Sequence, residues 1–406
     1  MNMGSEAGLT RRGMVAGGLA VAAATAARAQ SPAPQRGEVR AYVGTYTPHA
    51  VQGGAGHGKG IYLVRLDPGG ALGVEKTYET PSPSWLTFDL QRRFLYAINE
   101  IDDFGNAGSV TAYAVEPTSG GLAMLNAVSS RGKGPAHGSV HPSGRFVFVA
   151  NYGGGNVAVL PIKADGSLGE AVDVKADEGP PGAGRPADGP PDNFSISDHN
   201  GPHAHMIAAD PSGRFVIVND LGLDRTFVWR IDLGTGRLTA NTPPFIPAAS
   251  AGAGPRHFVF HPNRRYFYNL YEEASELAVY DWDGQTGTLT LKQKVPTLPA
   301  GYAGTNFTSE IVITPTGRFI YVGNRLHNSI AWFAVGSDGR VRWVGEEWTR
   351  GDYPRNIALD PSGNWMFACN QRSDNITAFR VDPGTGGLTF ADRYVGIGSP
   401  SVIVFA

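Results

Sequence analysis

The sequence holds a single cysteine, Cys369. No intramolecular disulfide and no cysteine-based zinc site can form from it. It lacks a surplus of positive charge: 34 Lys and Arg stand against 36 Asp and Glu, a formal net charge of −2. A nucleic-acid binder needs a basic surplus to displace counterions, so nucleic acid is not an expected partner. No apolar run reaches the roughly 20 residues of a membrane span, so no stable membrane anchor is expected. No segment keeps an amphipathic helical period. Charged residues are only 17% of the 406 and apolar residues 41%, so a large core can be buried and global disorder is not expected. What abounds is 55 Gly and 29 Pro, the mark of many tight turns.

Residues 10–15 read Thr-Arg-Arg-Gly-Met-Val. An uncharged run rich in Ala and Gly follows, from Gly13 to Ala27, and then a small-x-small site, Ala27-Arg28-Ala29, before Gln30. This is the layout of a bacterial twin-arginine export signal over residues 1–29. The twin-arginine export machinery is therefore an expected partner, and the periplasm the expected compartment. Residues 30–38, proline-rich over Ser31–Arg36, read as a linker, and 39–406 as one domain.

That domain is a repeat. Pro-Ser-Gly-Arg-Phe occurs at 142–146 and 211–215, with variants at Leu90–Phe94, Pro262–Tyr266, Pro315–Phe319 and Pro361–Trp365. The closing aromatics lie 52, 69, 51, 53 and 46 residues apart. Repeats of that length, made of short alternating strands and Gly/Pro/Asp turns, predict a propeller. Within a unit, Gly138–His141 precedes the turn, Phe146–Ala150 and Asn156–Leu160 follow it, and Gly166-Ser-Leu168 marks a weaker fourth strand. The chain opens on a second strand, Val39–Tyr46, then a third, Ile61–Leu66, and it closes on a first strand, Ser399–Ala406. Joined in one blade, these ends make an all-β, seven-bladed β-propeller, closed by pairing the C-terminal strand with the N-terminal blade and so without a free sheet edge.

Comparing the units with one another separates scaffold from site. Strand one begins, and strand two ends, on one face; the Pro-Ser-Gly turns lie on the other and vary little. Five residues beyond each landmark aromatic stand Asn99, Asn151, Asp220, Tyr271, Asn324 and Asn370, with Thr45 in the split blade, mostly turn-capping types. The next column is Tyr46, Glu100, Tyr152, Leu221, Glu272, Arg325 and Gln371. A seven-fold scaffold has no need of such variety, so this column is expected to line a site. The starts of strand one add His137, His203, His205, Arg256, His257, Glu310 and Arg355. Such a mouth suits a small, oxygen-rich, anionic molecule, with Arg matched to carboxylate or phosphate. Expected substrate-binding residues are His137, Tyr152, His205, Asp220, Glu310 and Arg355.

Some features read as structural. His141 and His261 directly precede the turn proline. By strand alternation His257 falls on the opposite strand face from Arg256, where it reads equally well as core. His203-Ala204-His205 has the spacing of a metal pair, but no third histidine is near and no acidic cluster accompanies it, so neither metal nor other cofactor is expected. The long 69-residue gap holds about seventeen extra residues, in Asp177–Asn200. That loop falls on the mouth face just before His203 and reads either as a lid or as a solvated surface loop.

Six motifs in combination resemble a known family: Gly201-Pro-His-Ala-His205, Asp220-Leu-Gly-Leu-Asp-Arg225, Gly254-Pro-Arg-His-Phe258, Ala150-Asn-Tyr-Gly-Gly154, Gly323-Asn-Arg325 and Pro354-Arg-Asn356. They resemble the lactonase family of seven-bladed propellers, which includes bacterial 6-phosphogluconolactonase and the fungal carboxy-muconate lactonizing enzyme. The resemblance implies a catalytic set at His203, Arg256, Glu272 and Arg325, with Glu272 sixteen residues after Arg256. It implies hydrolysis of a small-molecule sugar lactone, of aldono- or 6-phosphoglucono-type, to the open acid, with Glu272 or His203 as base. A lactonizing cycloisomerase and a non-catalytic periplasmic binding propeller are the alternatives. Two positions depart from the family: Tyr271 where Asn is usual, and Ser197-Asp-His-Asn200 where an Arg-Gln pair is usual. The second departure and the export signal both point to a lactone without phosphate.

Overall fold

The computed structural model describes residues 39–49, 55–194 and 196–406. The export signal and linker expected at 1–38 lie outside the described residues. The propeller unit comprises seven antiparallel sheets of four strands each. The innermost strands of successive blades touch one another around the ring, and the last returns to the first. Blade one is the split blade. Its inner strand is the C-terminal Pro400–Phe405, paired antiparallel with Val39–Thr45. The predicted fold and closure are thus the observed ones.

Alternation dictates where the core sits. Each second strand is buried on both faces, as in Phe146–Asn151 and Tyr266–Tyr271, because blades pack on either side of it. The apolar clusters lie between blades rather than inside one. Val64, Ile403 and Phe405 of blade one interlock with Trp365, Phe367 and Cys369 of blade seven. Tyrosines staple neighbours together: Tyr42, Tyr96, Tyr268 and Tyr321 each donate a hydroxyl hydrogen bond to a glycine carbonyl in the outer turn of the next blade. A buried hydroxyl without such a partner would be costly, so these bonds fix the angle between blades.

The Pro-Ser-Gly turns are scaffold, as expected. Gly144, Gly213, Gly317 and Gly363 all take φ near +70°, a region only glycine enters freely. His141 and His261 each use Nε2 to reach the turn glycine carbonyl of the following blade, Gly213 and Gly317. One outer strand differs from expectation. In blade three, Gly166–Leu168 forms only a bridge to Ile162, and the outer strand is Asp173–Ala176. The wide polar turn before it displaces the pairing by several residues.

Candidate functional site

A local irregularity builds the site. Every inner strand carries a β-bulge near its start. The residues left out of the ladder are Ser401, Ser84, Ala136, His205, Arg256, Ser309 with Glu310, and Arg355 in blades one to seven. A bulge sets two residues against one and re-aims the side chains beside it. Small residues therefore face the channel from blades one to three, and long cationic or aromatic ones from blades four, five and seven. A narrow cavity results, lined by Ser84, Ala136, Ser401, Tyr46 and Trp85 together with His205, Arg256, His257 and Arg355. It has room for about one water.

Strict alternation fails here, and of the two readings open for His257 the cavity lining favours the site. The bulge lets Arg256 and His257 both line the cavity. The core reading rests on a period of two, and the bulge breaks that period.

At the mouth, Glu272 joins two blades. Its Oε2 lies 2.8 Å from Arg256 Nε and 2.6 Å from Arg325 Nη2. All three side chains are under 10% exposed. Arg256 also donates from Nη1 to the Ser309 carbonyl, and Arg325 from Nη2 to the Thr308 carbonyl at 2.8 Å. Burial alone would raise the Glu272 pKa, but Arg325 and Arg256 outweigh it and hold it at about 2. A carboxylate so clamped is a weak base at neutral pH. Burial and the neighbouring Arg325 bring Arg256 down to about 10. Arg355 packs its guanidinium over the Tyr46 ring at 5.0 Å, while Tyr46 donates to Glu100 at 2.8 Å. Among the described residues no carboxylate pairs with Arg355 within 4 Å.

Aromatic rings descend from the mouth. His203 lies 4.7 Å from the Tyr152 ring, Tyr152 5.4 Å from His205, His205 5.0 Å from His257, and His257 5.4 Å from His137. His137 packs on Trp85 at 4.3 Å. Burial pushes the pKa values of His137, His205 and His257 well down, so these three rings are neutral. His203 precedes the inner strand of blade four, Ala204–Ala209, rather than sharing it with His205. Its Nδ1 donates to the Tyr152 carbonyl at 2.9 Å, and its Nε2 meets the Asn200 side chain at 2.7 Å. Among the described residues no group of three His, Cys, Asp or Glu is placed to hold a metal.

Two expected binding residues have other occupations. Asp220 is fully buried, and its Oδ1 accepts from the His203 and Leu223 backbone amides. It fixes the start of the strand instead of facing the mouth, because it caps a turn like its column. Glu310 turns inward: Oε1 meets His257 Nδ1 at 3.0 Å and the Ile311 amide at 3.0 Å, and Oε2 accepts from Asn356 at 2.9 Å. Of the other candidates, His137 touches His257, Tyr152 touches His203 and His205, and His205 and Arg355 share the cavity lining with Arg256.

The 177–200 loop covers this end. It hydrogen-bonds in turn to blade four at Gly222, to blade five at Glu273, and to the approach to blade six at Gly304 and Thr305. Ser197 Oγ donates to Glu272 Oε1 at 2.9 Å, and Tyr152 donates its hydroxyl to Asp198 at 3.0 Å. His199 pairs with Glu273 at 3.0 Å, both nearly fully buried. At its base, Asp177 and Asp220 face each other, and burial raises both carboxyl pKa values.

Fold and site together define a seven-bladed propeller with a cationic, histidine-rich mouth bordered by one loop. The chain belongs to the lactonase family of seven-bladed β-propellers, whose family model matches residues 40–405. It is 33% identical over 368 residues to the 6-phosphogluconolactonase of Bacillus subtilis (strain 168), covering 90% of this chain and 97% of that one. The 6-phosphogluconolactonase of Yersinia pestis is 31% identical over 336 residues, 82% of this chain and 91% of its own. Among solved structures, the periplasmic gluconolactonase PpgL of Pseudomonas aeruginosa superposes with a TM-score of 0.80 at 31% identity, covering 91% of this chain and 99% of that one.

Proposed function

We propose that this protein hydrolyses a sugar lactone without phosphate, an aldonolactone, to the open acid in the periplasm. The observation that carries the reading is the Arg256–Glu272–Arg325 cluster at the mouth. Two guanidiniums fixed by one carboxylate present hydrogen-bond donors where the lactone carbonyl gains negative charge as water attacks. Preorganised donors of this kind are worth about 10²–10³ in rate each. The role of Glu272 in this reading is to hold the guanidiniums, not to take a proton, since its pKa of about 2 leaves it a poor acceptor. His203, oriented by the Tyr152 carbonyl, stands at the rim to hydrogen-bond substrate hydroxyls once Asn200 moves aside.

Charge supports the unphosphorylated substrate. Asp198 lies against Tyr152 at the rim, where a phosphate on the substrate would meet a carboxylate. Compartment supports it too: the twin-arginine layout of residues 1–29 fits export, and the Pseudomonas structural neighbour is named a periplasmic gluconolactonase. The test is a lactone panel on purified protein, scored against spontaneous hydrolysis, with and without chelator. The expected result is hydrolysis of gluconolactone with kcat/KM at least tenfold above that for 6-phosphogluconolactone, and loss of about 10²-fold in Arg256→Ala. Full activity in both Arg256→Ala and Glu272→Gln would show the site to be wrong. A preference for the phosphorylated lactone would reverse the substrate assignment.

A further inference from the structure

We infer that His257 is the proton acceptor for the attacking water, with the Glu310 carboxylate as its positioning partner. The inference rests on the lactone-hydrolysis reading and names a residue outside the set that resemblance implies. The geometry comes from two blades. Glu310 Oε1 stands 3.0 Å from His257 Nδ1. The other donors to Glu310 are the Ile311 amide and the Asn356 side-chain amide, both N–H groups. A carboxyl ringed by donors acts as an acceptor, so the imidazole proton sits on Nδ1. That leaves the lone pair on Nε2, a buried atom with no hydrogen-bond partner among the described residues. An unsatisfied buried nitrogen is costly and calls for a partner. His257 lines the one-water cavity that Arg256 also lines. A water in that cavity would share its lining with both His257 and Arg256.

The step balances without a co-reactant. The water oxygen bonds to the lactone carbonyl carbon as its proton passes to Nε2. Glu310 stabilises the imidazolium that forms. The tetrahedral intermediate then breaks the bond to the ring oxygen. That alkoxide takes the proton back from Nε2, giving the hydroxy acid and the neutral ring.

The groups facing His257 are Glu310 of blade six, His137 of blade three, His205 of blade four, its neighbour Arg256, and Arg355 of blade seven. Burial and Arg256 lower the ring's proton affinity and keep it neutral at rest; the Glu310 carboxylate against Nδ1 favours the imidazolium as it forms. Burial raises Glu310 to about 7 against the pull of Arg256. Below that pH the pair takes up a second proton and the base is lost, so activity should rise with pH through neutrality.

The experiment compares wild type, His257→Gln and Glu310→Gln on gluconolactone. It reads kcat and KM separately, kcat/KM from pH 5 to 9, and the melting midpoint. For His257→Gln, kcat should fall about 10²–10⁴-fold with KM changed by less than about threefold, and the limb near neutrality should vanish. Glu310→Gln keeps the volume and an acceptor oxygen. It should lower kcat at least about tenfold and move the limb. Should His257→Gln fail to fold, the Glu310→Gln profile decides alone. Wild-type kcat and an intact limb in the folded variants would overturn the assignment while leaving the hydrolytic reading standing. A wild-type protein inactive on every lactone would overturn both.

Discussion

Replacing Glu272 by Gln removes what is, among the described residues, the only negative charge in contact with these two buried guanidiniums, and the cost can be worked out in advance. The carboxyl is held at about 2, against an ordinary 4.5. Burial pushes it upward, so the downward result measures how far Arg325 and Arg256 win. At about 1.4 kcal/mol per tenfold change in proton affinity, the displacement is worth ~3 kcal/mol. Removing one partner of a buried pair costs about 3–5 kcal/mol by a separate line of experience, which agrees. Unfolding entropy of about 2.1 cal/mol/K per residue then gives a fall in melting midpoint of roughly 4–6 °C for a propeller of this length. The sign with pH follows from linkage. A folded-state pKa below the unfolded one gives stability that is present above pH 4.5 and lost as the pH falls toward 2. The gap between wild type and Glu272→Gln should therefore be widest above about pH 5, narrow through pH 3 and close toward pH 2. Melting curves by circular dichroism over that range are the assay. A midpoint gap below about 1 °C, or one that does not narrow in acid, would refute the clamp. The variant should also keep the neutral limb of its pH–rate profile, because Glu272 does not titrate there.

Three further outcomes are expected. Removing residues 400–406 strips Ile403 and Phe405 from the cluster between blades one and seven and leaves Val39–Thr45 as an open edge. At about 1.5–3 kcal/mol per buried side chain, plus the lost ladder, the loss approaches a typical total stability; cooperative melting should vanish, and a sharp transition near wild type would contradict ring closure by this strand. Shortening the loop by residues 180–194 should change kcat or KM at least about threefold with little effect on melting, and identical kinetics would reduce the loop to surface chain. Asp177→Asn should stabilise the protein increasingly as pH rises. Burial raises Asp177 and Asp220 in the fold, so the wild-type pair holds a proton that the unfolded chain has lost and stability falls with rising pH. Parallel melting curves for both proteins from pH 5 to 9 would show that the pair shares no proton.

Period and punctuation carried the architecture. The spacing of Phe94, Phe146, Phe215, Tyr266, Phe319 and Trp365 predicts blades, and the Pro-Ser-Gly turns predict where each inner hairpin reverses. Strand direction then placed Glu272, Arg325, Arg256 and Arg355 on one face, because the end of strand two must lie beside the start of strand one. Unlike residues at equivalent positions stood out as a site for the same reason. All of this is local chemistry repeated, and repetition is visible in a string of letters.

The tertiary structure alone decided which of these groups touch. Glu272 bridges Arg256 and Arg325 only because blades five and six bring the two arginines to one carboxylate. His257 faces the channel because a bulge interrupts alternation, and a bulge has no composition signal at this position. Glu310 was legible as a mouth residue, but its turn toward His257 and Asn356 is a contact among three blades. The loop was legible as an excess of length, whereas the contacts of Ser197 with Glu272 and of Asp198 with Tyr152 depend on its path over the mouth. Sequence determines what recurs along the chain; the ring closure determines what meets across it.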